Sequence, residues 1–255
     1  SLYVNGLQAF VEHNAIAPTT WPTLGDARFD GRPNLSRSFS WGTDAAVFLL
    51  DTRSFRDASL TPVTNPFDPT QVFAFLQASF NPARTMMGYA QLGQLVQNLA
   101  AAQAAGVTWK FVMNPEPIQH FGPLAGEDRW EGYAAERAYL LGQIMQLGIK
   151  DVVFVTADFH GTIVNDVTVP NPANPQQQLY TGMFEIITGS VAYSAPAGPT
   201  FAQLGLSTGV LTAKQYAYYL TLPPAAQDAF VQNVLDGVVS QYGYSATGIQ
   251  DPSIA

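Results

Sequence analysis

Blocks of apolar residues along the chain predict an α/β protein. Three short runs are apolar almost throughout, at 45–50, 108–113 and 151–156, which is typical of strands covered on both faces. Between them, apolar residues recur at helical spacing over 89–105 and 130–147. This order of strands and helices predicts right-handed crossovers and a largely parallel sheet.

The flanking segments predict further elements. Residues 1–15 have the apolar spacing of a helix, and 38–41 forms a strand that pairs with the first buried strand. Residues 57–84 are predicted to be a long loop with about two helical turns. Strands are predicted at 162–169 and 183–188, joined by a loop rich in Pro, Asn and Gln.

No linker or internal repeat divides the chain, so we expect residues 1–255 to belong to one domain. Two helices are predicted to close it within 211–250. The hydrophobic fraction of 47% suits a globular protein, while the charged fraction of 12% is about half of the ~25% found in typical domains. The chain begins at Ser1 without Met, so we expect a processed, truncated or partial chain.

Charge and composition restrict the possible functions. The net charge is -8 and no Lys or Arg cluster occurs in the sequence, which disfavours nucleic acid and anionic membranes as partners. A phosphate-bearing substrate is compatible if a bound cation reverses the local field. The absence of cysteine excludes thiolate metal sites and a Cys nucleophile. No apolar run reaches the ~18 residues of a transmembrane segment.

Polar residues follow each of the three buried strands, at 51–54, 114–116 and 158–160. Because ligands of open α/β sheets bind outside the carboxyl ends of the strands, these residues predict a site at one edge of the sheet. In an extended chain Asp158 and His160 point the same way, which makes them candidate metal ligands. The alternative is that Asp158 caps the following turn and His160 donates to it.

Two further residues are candidate catalytic groups. The guanidinium of Arg53 can clamp a phosphate oxygen, or it can pair with Asp51 at the surface. Asn114 can supply its amide to a metal or an oxyanion, or it can form a turn before proline. A serine nucleophile at Ser190 or Ser194 is less well supported, because no G-x-S-x-G motif surrounds either residue.

Several stretches, in order over about residues 35–190, resemble the alkaline phosphatase D (PhoD-like) metallophosphatase family. Residues 48–57, FLLDTRSFRD, resemble its L-D-T-R-S-Y-R region. Residues 128–137, DRWEGYAAER, resemble its D-x-W-x-G-Y-x-x-E-R helix start. Residues 153–160, VFVTADFH, resemble its L-T-G-D-x-H metal motif, with Ala157 in place of the usual glycine.

The resemblance implies a calcineurin-like metallophosphoesterase α/β/β/α sandwich, of which residues 1–255 form the C-terminal portion. It implies hydrolysis of phosphate mono- or diesters, including phospholipase D-type reactions, by a metal-bound hydroxide. Asp158 and His160 would be ligands in a site for two or more metal ions, with Arg53 and Asn114 as neighbours. Iron, zinc, manganese and calcium all suit an Asp and a His.

The upstream ligand motifs of the family are missing from this sequence. We therefore expect an N-terminal half or a second chain to supply further ligands, because two residues cannot hold a catalytic metal pair. The exported members of the family imply a secreted or periplasmic protein. The alternative is a non-catalytic structural or binding subunit that keeps the fold and has an incomplete metal site.

Overall fold

A computed structural model describes residues 2–17, 19–190 and 196–254 of the chain. Its centre is a six-stranded mixed β-sheet. The strands, in chain order, are β1 (Arg37–Trp41), β2 (Ala45–Leu49), β3 (Trp109–Asn114), β4 (Val152–Thr156), β5 (Ile163–Asn171) and β6 (Asn174–Ile187).

Seven α-helices and one short 3-10 helix are described around the sheet. The 3-10 helix, Trp130–Tyr133, leads directly into α4. The α-helices are α1 (Leu2–His13), α2 (Pro69–Ser79), α3 (Tyr89–Ala104), α4 (Ala134–Gln146), α5 (Ala197–Ser207), α6 (Ala213–Tyr219) and α7 (Pro224–Ser240). No helix in the described ranges has the length and apolarity needed to cross a bilayer.

The predicted parallel arrangement of the central strands is confirmed. The spatial order is β1-β2-β3-β4-β6-β5, and β2, β3, β4 and β6 run parallel to one another. The strands at the two edges of the sheet are antiparallel to their neighbours: β1 pairs with β2, and β5 pairs with β6. The helices α3 and α4 form the crossovers between the three buried strands, as the sequence predicts.

Helices α3 and α4 cover one face of the sheet and form the main core with it. Leu95 and Leu99 of α3 and Leu140 of α4 are buried against strand residues such as Phe48 and Phe154. Burying an apolar side chain of this size contributes roughly 1.5–3 kcal/mol. This layer therefore fixes the strand ends that carry the candidate site.

The opposite face of the sheet is largely apolar, and in the described part of the chain it is exposed on β1, β2 and β3. The register places Trp41, Ala45 and Trp109 in one row, since directly paired residues share a face. The exposed members of this face have 37–58% of their surface accessible and are Phe39, Trp41, Leu49, Trp109 and Met113. Parallel sheets normally bury both faces, so this face is typical of a surface that packs against another layer.

The flanking predictions were partly right. The helical turns expected within the 57–84 loop form the helix α2, which is capped by the Asp68 carboxylate, an acceptor for the backbone N–H groups of Thr70 and Gln71. The loop expected at 170–178 was wrong, because most of these residues belong to β5 and β6, whose backbones pair as a hairpin around a short turn. The two helices expected within 211–250 correspond to α6 and α7, and the described residues after β6 also contain α5, which begins at Ala197 and was not predicted.

Candidate active site at the carboxyl edge of the sheet

The ends of β2, β3 and β4 lie side by side at one edge of the sheet. Leu49 is paired with Met113, and Met113 with Val155, so the three chains leave the sheet at the same level. The polar segments 51–54, 114–116 and 158–160 follow immediately. The predicted gathering of polar groups at this edge is therefore present.

The centre of this edge is an ion cluster around Glu116, a carboxylate with no exposed surface. Its Oε1 lies 2.8 Å from Arg53 Nη2 and 3.5 Å from Arg56 Nη1. Its Oε2 accepts a hydrogen bond of 2.5 Å from the Thr52 hydroxyl. Asp128 binds the same two arginines from the outside, at 3.0 and 2.7 Å. Two carboxylates thus hold Arg53 and Arg56 in place.

The electrostatics connect this cluster to Asp158. Burial raises the pKa of Glu116, and the Thr52 hydrogen bond and the two arginine charges offset this only in part. Burial acts to lower the pKa of Arg53, but its hydrogen bond to Asp128 and the surrounding carboxylates outweigh burial and raise it. Asp158 is one of the carboxylates that raise the pKa of Arg53, and its charge also raises the pKa of Glu116. The charged groups at the ends of β2, β3 and β4 therefore influence one another.

Asp158 and His160 lie on a turn, which contradicts the extended geometry expected from the sequence. Both have positive φ, 68° and 60°, and Asp158 is exposed while His160 is half-buried. The residue between them explains the turn: Phe159 is buried with its ring 4.8 Å from Phe121 and 4.9 Å from Phe201. Left-handed backbone at two non-glycine positions within three residues is costly, and such strain concentrates at functional sites.

Asn114 and Asp51 are engaged within the protein. Asn114 is buried, donates to the carbonyl of Glu116 at 2.7 Å and accepts from the indole N–H of Trp130 at 3.3 Å. Asp51 accepts from the backbone N–H groups of Arg53 and Ser54, each at 3.0 Å. Both side chains thereby fix the backbone that presents Arg53 and Glu116.

A buried polar network on β6 and α4 binds the segment that follows β3 and so holds it in place. Glu185 of β6 accepts from the backbone N–H groups of Ile118 and Gln119 at 2.6 and 3.2 Å, and from the Thr156 hydroxyl at 2.9 Å. Burial raises the pKa of Glu185 to about 7. Arg137 of α4 donates to the carbonyl of Ile118 and to Gln119, and burial lowers its pKa to about 10.

Sequence reasoning missed the roles of Glu116, Asp128 and Glu185. Glu116 was noted only as a polar residue after a strand, and Asp128 only within the 128–137 motif. Glu116 lies 64 positions from its partner Thr52, and Asp128 lies 75 positions from its partner Arg53, so no local pattern could reveal the pairing. Of the two serines considered, Ser190 is exposed, and Ser194 lies outside the described residues.

Nowhere in the described ranges do three His, Cys, Asp or Glu side chains come together in an arrangement that could hold a metal ion. Asp158 and His160 offer one carboxylate and one imidazole, which are ligand types of iron, zinc and manganese. A metal site that used these two residues would need further ligands.

The architecture and the edge together define a class: a mixed α/β protein with charged residues gathered where parallel strands end, as in α/β enzymes. The sequence profile of the PhoD-like phosphatases matches residues 1–223. The chain belongs to the PhoD-like phosphatase family.

Two relatives agree with this assignment. Alkaline phosphatase D of Bacillus subtilis (strain 168) is 28% identical over 173 residues, covering 64% of this chain and 26% of that protein. A solved structure, "Structure of PhoD", matches with a TM-score of 0.52 and 23% identity, covering 72% of this chain and 33% of its own. The likeness to this structure shows the fold. The chain spans about a quarter to a third of the length of these relatives.

Proposed function

We propose that this chain forms part of a metal-dependent phosphoesterase that hydrolyses phosphate mono- or diesters. The observation that carries the proposal is the Asp158–His160 turn beside the Arg53–Glu116 ion pair at the carboxyl edge. Membership of a phosphatase family supports the reaction class. The diesters in this proposal include substrates of the phospholipase D type.

In this proposal Asp158 and His160 are metal ligands, and the remaining ligands come from polypeptide outside this chain. A bound iron, zinc, manganese or calcium ion supplies Lewis-acid activation of water and of the phosphoryl group. Arg53 binds the non-bridging phosphate oxygens, because 51% of its side-chain surface is exposed and its guanidinium is held by the ion pair with the buried Glu116. Asn114 acts through the backbone of Glu116.

We further propose that the exposed apolar face packs against a second β-sheet from outside this chain. The result would be the α/β/β/α sandwich of calcineurin-like phosphoesterases. The support is the row of exposed apolar residues on β1, β2 and β3, among them Trp41 and Trp109. Such an arrangement would also bring the missing metal ligands to the carboxyl edge. By family resemblance we place the protein in the periplasm or outside the cell.

The test compares two aspartates at opposite ends of β4. Asp158 and Asp151 both have positive φ, 68° and 54°, and Asn tolerates this conformation about equally well. In natively purified protein, Asp158→Asn should lower bound metal per chain and reduce phosphodiester hydrolysis about 100-fold or more. Asp151→Asn should change neither. Equal activity of the two variants would remove Asp158 from the site.

A second candidate function is a non-catalytic subunit with the same fold. It would share the fold with the enzyme and differ from it in having an incomplete metal site. Elemental analysis of chelator-free material separates the two proposals. Stoichiometric metal together with hydrolysis supports the enzyme, whereas metal-free protein without hydrolysis supports the subunit.

A further inference from the structure

A second polar cleft lies away from the carboxyl edge, between α1 and the segments 19–37 and 54–57. Its volume is about 780 Å³, and neither Asp158 nor His160 lines it. Four of the eight arginines of this acidic chain line this single cleft: Arg28, Arg32, Arg37 and Arg56. Three of these arginines lie within the ten residues 28–37, and folding brings Arg56 to them.

Two of these guanidiniums lack an anionic partner. Arg28 is paired with Asp26 at 2.9 Å, and Arg56 with Asp128 at 2.7 Å. For Arg32 and Arg37, the described part of the chain offers no carboxylate within 4 Å. In a chain of net charge -8, two unneutralised arginines in one cleft are an unusual concentration of positive charge.

Backbone contacts orient Arg37 without neutralising it. Its Nη2 donates to the carbonyl of Ala17 at 2.8 Å, and its Nη1 donates to the carbonyls of Asn34 and Ser36. Among the described residues, the side chain of Arg32 has one long contact, 3.5 Å from its Nε to the carbonyl of Ala27, and it is exposed. The cleft thus combines one fixed guanidinium with one that is able to move onto a ligand.

One acidic side chain, Asp57, also lines the cleft. It accepts a hydrogen bond from the backbone N–H of Thr85 at 2.8 Å, and its charge acts on Arg28, but among the described residues it forms no ion pair with the four arginines. The rest of the wall includes the apolar side chains of Leu7, Val11, Leu35 and Phe55. A ligand that fits this lining has an anionic end and an apolar body.

We propose that this cleft binds a small phosphorylated molecule, with its phosphate held by Arg28, Arg32 and Arg37. Guanidinium forks match phosphate oxygens two at a time, which favours phosphate over a single point charge. The apolar part of the ligand packs against Val11 and Phe55. This binding site is separate from the proposed hydrolytic site and does not depend on it.

Isothermal titration with phenylphosphonate tests the proposal, because this phosphonate is not hydrolysed and carries an apolar ring. Inorganic phosphate is the second probe. Wild-type protein should bind phenylphosphonate saturably at one site per chain and inorganic phosphate more weakly. Arg32→Ala should weaken phenylphosphonate binding by about tenfold or more, and Arg32→Lys should weaken it less.

The matched control is Lys214→Ala, which removes one exposed positive charge from α6, whose residues do not line the cleft. It should leave binding within about twofold of wild type, because a distant exposed charge is screened. Asp158→Asn should also leave binding unchanged, which separates this site from the hydrolytic one. Folding of Arg32→Ala is checked by its thermal unfolding, and Arg28→Ala provides an independent variant.

Three results would overturn the proposal. The first is the absence of saturable phenylphosphonate binding by wild-type protein in the millimolar range. The second is binding that folded Arg32→Ala and Arg28→Ala retain in full. The third is binding that Asp158→Asn abolishes, since the ligand would then occupy the carboxyl edge.

Discussion

The fully buried carboxylate of Glu116 lies 2.8 Å from the guanidinium of Arg53, a side chain that is half exposed. The pair joins the ends of β2 and β3, and it fixes one positive charge where the sheet edge meets solvent. Arg53 is therefore held in one orientation before any substrate arrives. Preorganised charge of this kind is more effective on a developing anion than a mobile side chain.

Replacing Glu116 by Gln should reduce hydrolysis while keeping the shape of the side chain. In the variant, Arg53 keeps its ion pair with Asp128 and loses its ion pair with the buried carboxylate of Glu116. The guanidinium is then held less firmly in one orientation. We expect kcat to fall about 10–100-fold. We expect the free energy of unfolding to fall by about 1–2 kcal/mol, since Arg53 can still reach water. Steady-state kinetics below the unfolding transition measure the first effect, and unchanged kcat would contradict the role assigned to Glu116.

Glu185 should make stability depend on pH. Its pKa of about 7 in the folded protein is above its ordinary value of 4.5, so the folded state binds the proton more tightly. The resulting stabilisation is fully present below pH 4.5 and is lost as pH rises through 7. One pKa unit corresponds to about 1.4 kcal/mol, so this loss amounts to about 3 kcal/mol.

Chemical unfolding of wild-type protein and Glu185→Gln between pH 4.5 and 8 measures this dependence. The variant should show a flatter pH profile, because the amide does not titrate. The control is Glu12→Gln on the exposed part of α1, which should keep the wild-type profile. Parallel profiles for wild type and Glu185→Gln would show that another group titrates.

Gly88 should not tolerate a side chain. It precedes α3 with φ of 78°, and an added Cβ would lie 2.3 Å from Cζ of Phe29, a fully buried ring stacked on Phe55. Gly88→Ala should reduce the free energy of unfolding by about 2–4 kcal/mol, from backbone strain and overpacking together. In the same helix, Gly93 has open space around it, and Gly93→Ala should stabilise by up to about 1 kcal/mol. Thermal unfolding of both variants checks the pair, and similar losses would contradict the packing argument.

The exposed apolar face should bind hydrophobic dye in the isolated chain. Trp41, 58% exposed on β1, belongs to this face, whereas Tyr139, 53% exposed, lies on α4. Trp41→Ser should lower the fluorescence of a bound dye and weaken association with any partner sheet, because it removes part of a contiguous patch. Tyr139→Ser should do neither. Equal effects of the two variants would mean that the face is not a docking surface.

Much of the fold was predictable because the buried strands and amphipathic helices have clear periodicities. The runs at 45–50, 108–113 and 151–156 became β2, β3 and β4, and helices α3 and α4 lie within about four residues of their predicted limits. The structure of polar stretches is harder to predict from the sequence. The Asn- and Gln-rich turn of the β5–β6 hairpin lacks an apolar pattern, so the sequence predicts a loop there.

The sequence by itself determined that polar groups meet at the carboxyl edge, because strand direction follows from the alternation of strands and helices. It also determined the family, through motifs that stand in order along the chain. Only the tertiary structure decided that Asp158 and His160 lie on a turn, since burial of Phe159 overrides the extended geometry. Long-range pairing likewise decided the ion cluster of Glu116 and brought Arg56 to the cleft that Arg32 and Arg37 line, because charges from distant segments meet only when the chain folds.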